Sequence, residues 1–222
     1  MVANSRAAPK GLLLDFGGVI SVTFFERHSF TEMLLGLAPG ALTWRGPFDP
    51  EGDPLWLAML AGEISERDYW ARRASEVGRL VGEDWTMATL IARTRGPDPN
   101  LHIRPEAIEA VRRAKARGVK VGVLSNEMEL FYGAETVAAL AVLREMDAIV
   151  DATHTQILKP SARAYALGCE ALGVAAGNVV FVDDQPRNVE GARRAGLDAV
   201  FFDVTRPAAS FAEAARRLGL TP

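Results

Sequence analysis

Apolar residues gather into four short runs, and each run stops at a polar residue. Leu12-Leu13-Leu14 ends at Asp15, with Gly17-Gly18 close behind. Val119 to Leu124, interrupted by Lys120 and Gly122, ends at Ser125-Asn126. Val179 to Val182 ends at Asp183-Asp184, and Ala199 to Phe202 ends at Asp203. Brief continuous runs predict strands covered on both faces, as in parallel sheets; a strand with one wet face would alternate. Between them the pattern takes the helical period. Glu106 to Arg117 places Ile108 and Val111 on one face and closes at Gly118. Ser161 to Leu172 carries Ala164, Leu167 and Ala171 before Gly173, and Val189 to Ala195 stops at Gly196. A glycine just past the last periodic residue favours a helix end. Strands alternating with helices predict an α/β fold built on a doubly wound, Rossmann-like parallel sheet.

From about Val22 to Asp98 the alternation fails. The stretch is rich in helix formers and large apolar residues, including Phe30, Met33, Leu55, Trp56, Tyr69, Trp70, Leu90 and Ile91. Pro39-Gly40 and Gly46-Pro47 break it, and Gly96-Pro97-Asp98-Pro99 closes it. It predicts a helical domain over residues 22–98, inserted into a core domain made of residues 11–21 and 99–222. Trp56, Trp70 and Trp85 are expected in the core of the insert.

Composition narrows the class. Apolar residues make up 49% of the 222, enough for a packed interior. The formal charge is 25 − 28 = −3, which argues against nucleic acid as a partner. The single cysteine, Cys169, excludes an intrachain disulfide and is expected in the core. Met1 to Lys10 contain no apolar h-region, so no signal peptide is expected. No apolar run reaches the roughly 20 residues of a membrane helix. The expectation is a cytoplasmic protein, monomeric or homodimeric, without membrane or nucleic-acid partners.

Candidate chemistry lies at the strand ends, where open α/β sheets bind ligands. If the first three strands are neighbours, Asp15, Ser125-Asn126 and Asp183-Asp184 converge. Clustered carboxylates repel, and a hard cation such as Mg²⁺ relieves this through oxygen ligands. Lys159, in Leu158-Lys159-Pro160 before a helix, offers a counter-charge for the carboxylates and for a phosphate.

These residues resemble the four motifs of the haloacid dehalogenase superfamily. Asp15-Phe16-Gly17-Gly18-Val19 resembles the first, Leu124-Ser125-Asn126 the second, and Lys159-Pro160 the third. Phe181 to Arg193, beginning Phe-Val-Asp-Asp-Gln-Pro-Arg-Asn, resembles the fourth. The insert falls where the family carries a helical cap. Within the family the chain looks most similar to glucose-1-phosphate phosphatases and to the N-terminal phosphatase domain of soluble epoxide hydrolases. The resemblance implies a Mg²⁺-dependent phosphatase acting on a small phosphorylated metabolite. Asp15 would be the nucleophile that forms an aspartyl-phosphate. Asp15, the Gly17 carbonyl, Asp183 and Asp184 would hold the metal. Ser125, the Asn126 amide and Lys159 would bind phosphate, and Asn188 would brace the fourth loop.

One position departs from the pattern. Family phosphatases carry a second aspartate two residues after the nucleophile, as general acid and base; here it is Gly17. Such help contributes about 10²–10⁴-fold. Its absence predicts a preference for good leaving groups, such as sugar 1-phosphates or aryl phosphates, and slow hydrolysis of the aspartyl-phosphate. Glu26 and His28 are the nearest candidates for a substitute acid. Glu26, Arg27, Arg45 and Trp56 are candidates for substrate selection in the insert. His28, His102 and His154 lack metal-ligand spacing. Two alternatives remain: a 2-haloacid dehalogenase, which also lacks the second aspartate but needs no metal and lacks paired aspartates in the fourth motif, and a catalytically weak regulatory or binding domain.

Overall fold

The four apolar runs all become strands, and a fifth joins them. In the computed structural model, which describes residues 10–220, β1 (Gly11–Leu14) is followed by α1 (His28–Leu35), α2 (Pro54–Leu60), α3 (Glu66–Leu80) and α4 (Met87–Thr94). Next come α5 (Pro105–Ala116), β2 (Lys120–Ser125), α6 (Met128–Tyr132), α7 (Ala134–Ala139), β3 (Ala148–Asp151) and α8 (Ala152–Thr155). The chain ends with α9 (Ala162–Leu172), β4 (Val179–Asp183), α10 (Pro186–Arg194), β5 (Asp198–Phe201) and α11 (Pro207–Arg217). Of the N-terminal segment read for a signal peptide, all but Lys10 lies outside the described residues.

All five strands are parallel, in the order β3-β2-β1-β4-β5. The chain moves outward from β1 to β3, then returns to the other side of β1 for β4 and β5. The order therefore reverses between β1 and β4, the place where α/β sheets bind ligands. Leu14 pairs with both Val123 and Val182, so the residues just beyond β1, β2 and β4 emerge side by side.

Helices cover both faces, as a doubly wound sheet requires. Leu13, Leu124 and Phe181 pack with Tyr165, Cys169 and Leu172 of α9 and with Val189 and Ala192 of α10. Leu12 points the other way, toward Ala114 of α5 and Phe211 of α11. Details differ from the periodicity reading. The buried face of α5 is Ala107, Val111 and Ala114, and Ile108 is half exposed. The buried face of α9 is Ala164, Tyr165, Gly168, Cys169 and Leu172, so Leu167 and Ala171 lie off its axis. α10 begins at Pro186, a turn before the expected Val189, because proline suits the first helical position.

The described residues divide into two units. One takes residues within Met1–Ser21, Ile103–Met128 and Leu140–Pro222; the other takes Val22–His102 and Glu129–Ala139. The second unit has its own core of Phe24, Phe25, Leu42, Trp44, Tyr69, Val77, Trp85 and Leu90. Trp56 and Trp70 pack partly buried against it. A capping box of Ser65 and Asp68 starts α3, and Asp53 caps α2 by accepting from the Trp56 amide at 3.0 Å. Asp53 is fully buried, where Tyr69 Oη donates to it at 2.8 Å and Arg73 pairs with it.

Candidate active site

β1 delivers Asp15 at the sheet's reversal point. The Asp15 amide still donates to the Val182 carbonyl at 2.9 Å, so the residue leaves β1 tied to β4. The chain then turns sharply, with Gly17 at φ −68°, ψ 127° and Gly18 at φ 76°, ψ −27°. Positive φ at Gly18 is cheap only without a Cβ. β4 delivers Asp183, fully buried, and Asp184 follows. One carboxylate oxygen from each of Asp15, Asp183 and Asp184 lies within 4.8 Å of the others. Among the described residues this is the one such group of acidic, histidine or cysteine side chains.

Lys159 enters from the loop before α9. Its Nζ donates to Asp15 Oδ1 at 2.8 Å and to Asp183 Oδ2 at 2.7 Å. Asn126, one residue past β2, holds that loop by accepting from the Lys159 amide at 2.7 Å and donating to its carbonyl at 3.1 Å. Ser125 is buried at the end of β2, paired in register with Asp151 of β3. Asn188 of α10 donates to both Asp183 oxygens at 3.1 Å, and the Gln185 amide donates to Oδ1 at 2.8 Å. Tyr165 Oη donates to the Asn188 carbonyl at 2.7 Å, fixing α10 against α9.

The charge balance is uneven. Burial pushes the Asp15 carboxyl up to about 7; the Lys159 ammonium opposes this and the Asp183 charge adds to it. Burial alone would lower the Lys159 ammonium, but Asp15 and Asp183 outweigh it and hold the pKa above its ordinary value. Both shifts coexist because one cation is shared between two carboxylates. Asp184 adds a third acid. A second positive charge is therefore accommodated, and the donor set is all oxygen, as Mg²⁺ prefers. These residues fit the metal.

Other candidates lie in the second unit. Glu26 accepts from the Thr23 amide at 2.7 Å and from its hydroxyl at 2.8 Å, closing a local turn. His28 is enclosed by Phe24, Phe25 and Trp44, and burial, with Arg45 adding to it, pushes its ring down to about 4. That shift disfavours the charged ring and argues against His28 as the substitute acid. Arg27 is buried, Arg45 exposed and Trp56 half-buried. Cys169 sits in the first unit's core, as expected. Arg104 and Tyr165 lie outside the four motifs, yet each donates to a backbone carbonyl beside the site, Arg104 to Gly18 and Tyr165 to Asn188. Arg104 had one signal, a charged side chain directly before the proline that opens α5.

Residues 10–196 match the haloacid dehalogenase-like hydrolase family. The chain belongs to that family. This haloacid dehalogenase-like hydrolase is 39% identical over 100 residues to Phosphatase MT3486 of Mycobacterium tuberculosis, across 45% of the chain and 46% of that protein. The match thus spans about half the length of that relative. It is 31% identical over 207 residues to the (S)-2-haloacid dehalogenase of Pseudomonas sp. (strain YL), across 88% of the chain and 83% of that protein. Among solved structures it resembles the HAD-hydrolase YfnB of Bacillus subtilis, solved bound to magnesium, with a TM-score of 0.67 at 16% identity. That likeness covers 95% of this chain and 99% of the other and concerns the fold. Among the described residues, no helix is long and apolar enough to cross a membrane.

Proposed function

We propose that the chain is a Mg²⁺-dependent phosphatase of a small phosphorylated metabolite, with Asp15 as nucleophile. The observation that carries this reading is the group Asp15, Asp183 and Asp184 with Lys159 bridging its first two members. Held by Asp15, Asp183, Asp184 and the Gly17 carbonyl, Mg²⁺ would supply positive charge against the carboxylates and the phosphoryl oxygens. An Asp15 oxygen attacks phosphorus, and the bond from phosphorus to the leaving oxygen breaks. The departing alkoxide takes its proton from water, since Gly17 offers none. Water then attacks the aspartyl-phosphate, inorganic phosphate leaves, and the Asp15 carboxylate returns. Ser125 and the Asn126 amide hold phosphoryl oxygens while Lys159 steadies Asp15. The second unit acts as the cap that selects the substrate. Good leaving groups, such as sugar 1-phosphates, are favoured.

The dehalogenase relatives, which match across most of the chain, support a second reading. There Asp15 would attack the carbon bearing the halogen and expel halide, without metal. The two are separated by assaying phosphate release from a sugar-phosphate panel and chloride release from 2-chloropropionate, each with Mg²⁺ and with EDTA. The phosphatase reading expects phosphate release that EDTA abolishes. Chloride release that survives EDTA would replace it.

A further inference from the structure

The residue before Pro105 is an arginine whose side chain is almost wholly buried, at 2% exposure. Proline keeps its predecessor out of the helical region, and Arg104 sits extended at φ −63°, ψ 127°. A buried guanidinium is costly unless acceptors meet it. Here Nε donates to the Gly18 carbonyl at 3.0 Å, and the guanidinium lies 5.6 Å from the Phe202 ring centroid. The Arg104 amide donates to the Ile20 carbonyl at 2.9 Å. A single residue thus grips two carbonyls of the turn that follows Asp15.

The other end of that turn is also fixed. Asp15 is tied to Val182, and the Ser21 amide donates back to the Phe16 carbonyl at 2.9 Å. Between the anchors lies the Gly17-Gly18 peptide, with two adjacent residues lacking a Cβ and therefore the greatest freedom to swing. A donor on the Gly18 carbonyl fixes the next peptide, Gly18-Val19, and so limits how far the Gly17-Gly18 peptide can swing.

We propose that Arg104 is a positioning residue for the metal: by holding the Gly18 carbonyl, it presets the turn so that the Gly17 carbonyl and Asp15 stand ready for Mg²⁺. This rests on the reading of the Gly17 carbonyl as a metal ligand. Loss of a group that orients a ligand lowers metal affinity by about 10–100-fold. The competing role is packing alone, through the Phe202 ring.

The test is calorimetric titration of Mg²⁺ into the wild type, Arg104→Met, Arg104→Lys and Phe202→Leu, with the melting temperature of each in EDTA. Arg104→Met is expected to weaken Mg²⁺ by about 10–100-fold. Arg104→Lys keeps one donor and recovers part of that loss. Phe202→Leu removes the ring, lowers the melting temperature and leaves Mg²⁺ affinity near the wild-type value. Wild-type affinity in Arg104→Met overturns the proposal, as does weakening that tracks lost stability equally in Arg104→Met and Phe202→Leu. If Arg104→Met does not fold, Arg104→Lys against Phe202→Leu decides on the same terms. A wild type that takes up no Mg²⁺ overturns the metal reading itself and this inference with it.

Discussion

Asp15 carries opposing demands at the scale of a single residue. It must be ionised to attack, yet burial and Asp183 press it toward protonation. Its folded-state pKa of about 7 lies above the ordinary 3.8, so the folded, metal-free protein binds the proton more tightly than the unfolded chain. The stability this group contributes is therefore present in acid and is lost as pH rises toward and through 7. Asp15→Asn removes the titration and leaves Lys159 paired with Asp183 alone. In EDTA, the variant should gain on the wild type from pH 4 to 7 and hold a lead of about 1–4 kcal/mol above that. Denaturant melts at several pH values measure it; a pH-independent difference would contradict the assigned charge balance. Gly17 is the second residue to test. A Cβ built there meets nothing within 4 Å, and its φ of −68° suits any residue. Gly17→Asp should fold normally and raise turnover of alkyl phosphates by about 10²–10⁴-fold, well above its effect on p-nitrophenyl phosphate. Equal effects on both leaving groups would count against a missing acid.

The decisive contact between elements is the approach of α10 to the loop that carries Lys159. A Cβ on Gly191 would stand 2.7 Å from Pro160 Cβ and 2.8 Å from Tyr165 Oη. Gly191→Ala must therefore push α10 away from Pro160 or shift the loop. The expected result is a stability loss of about 1–3 kcal/mol with a fall in kcat, because Lys159 moves with Pro160. Unchanged kcat at the lower stability would show that the loop does not depend on this contact. The elements were unevenly legible. β1 and β4 announced themselves because buried strands read as unbroken apolar runs, and β2 did so despite Lys120 and Gly122. β3 was missed although Ala148-Ile149-Val150 also ends in an aspartate. It is a four-residue edge strand with Ile149 nearly half exposed. Inward faces of α5 and α9 slipped because Ala107 and Gly168 are too small to stand out in a hydrophobic pattern, yet both are buried, and a Cβ on Gly168 would stand 2.8 Å from Leu13 Cδ1.

Across the whole molecule, the sheet order brings together residues that are far apart in sequence. Asp15 and Lys159 are 144 positions apart, and their contact depends on β1 lying between β2 and β4. The motif residues could be read one by one from the chain, but their convergence follows from topology. Tyr165 could not be read so, because it acts on a backbone carbonyl, which no side-chain pattern encodes, and Arg104 offered only its place before Pro105. The Gly17 position also shapes the most direct test. Without a second aspartate to activate water, the aspartyl-phosphate should form and then break down slowly. The protein would be mixed with p-nitrophenyl phosphate and Mg²⁺, quenched in acid, digested, and analysed by mass spectrometry. One added phosphoryl group is expected on the peptide containing Asp15, absent with EDTA and absent in Asp15→Asn. Steady release of phosphate by a wild type that never carries a phosphoryl group on Asp15, or carries it elsewhere, would contradict it.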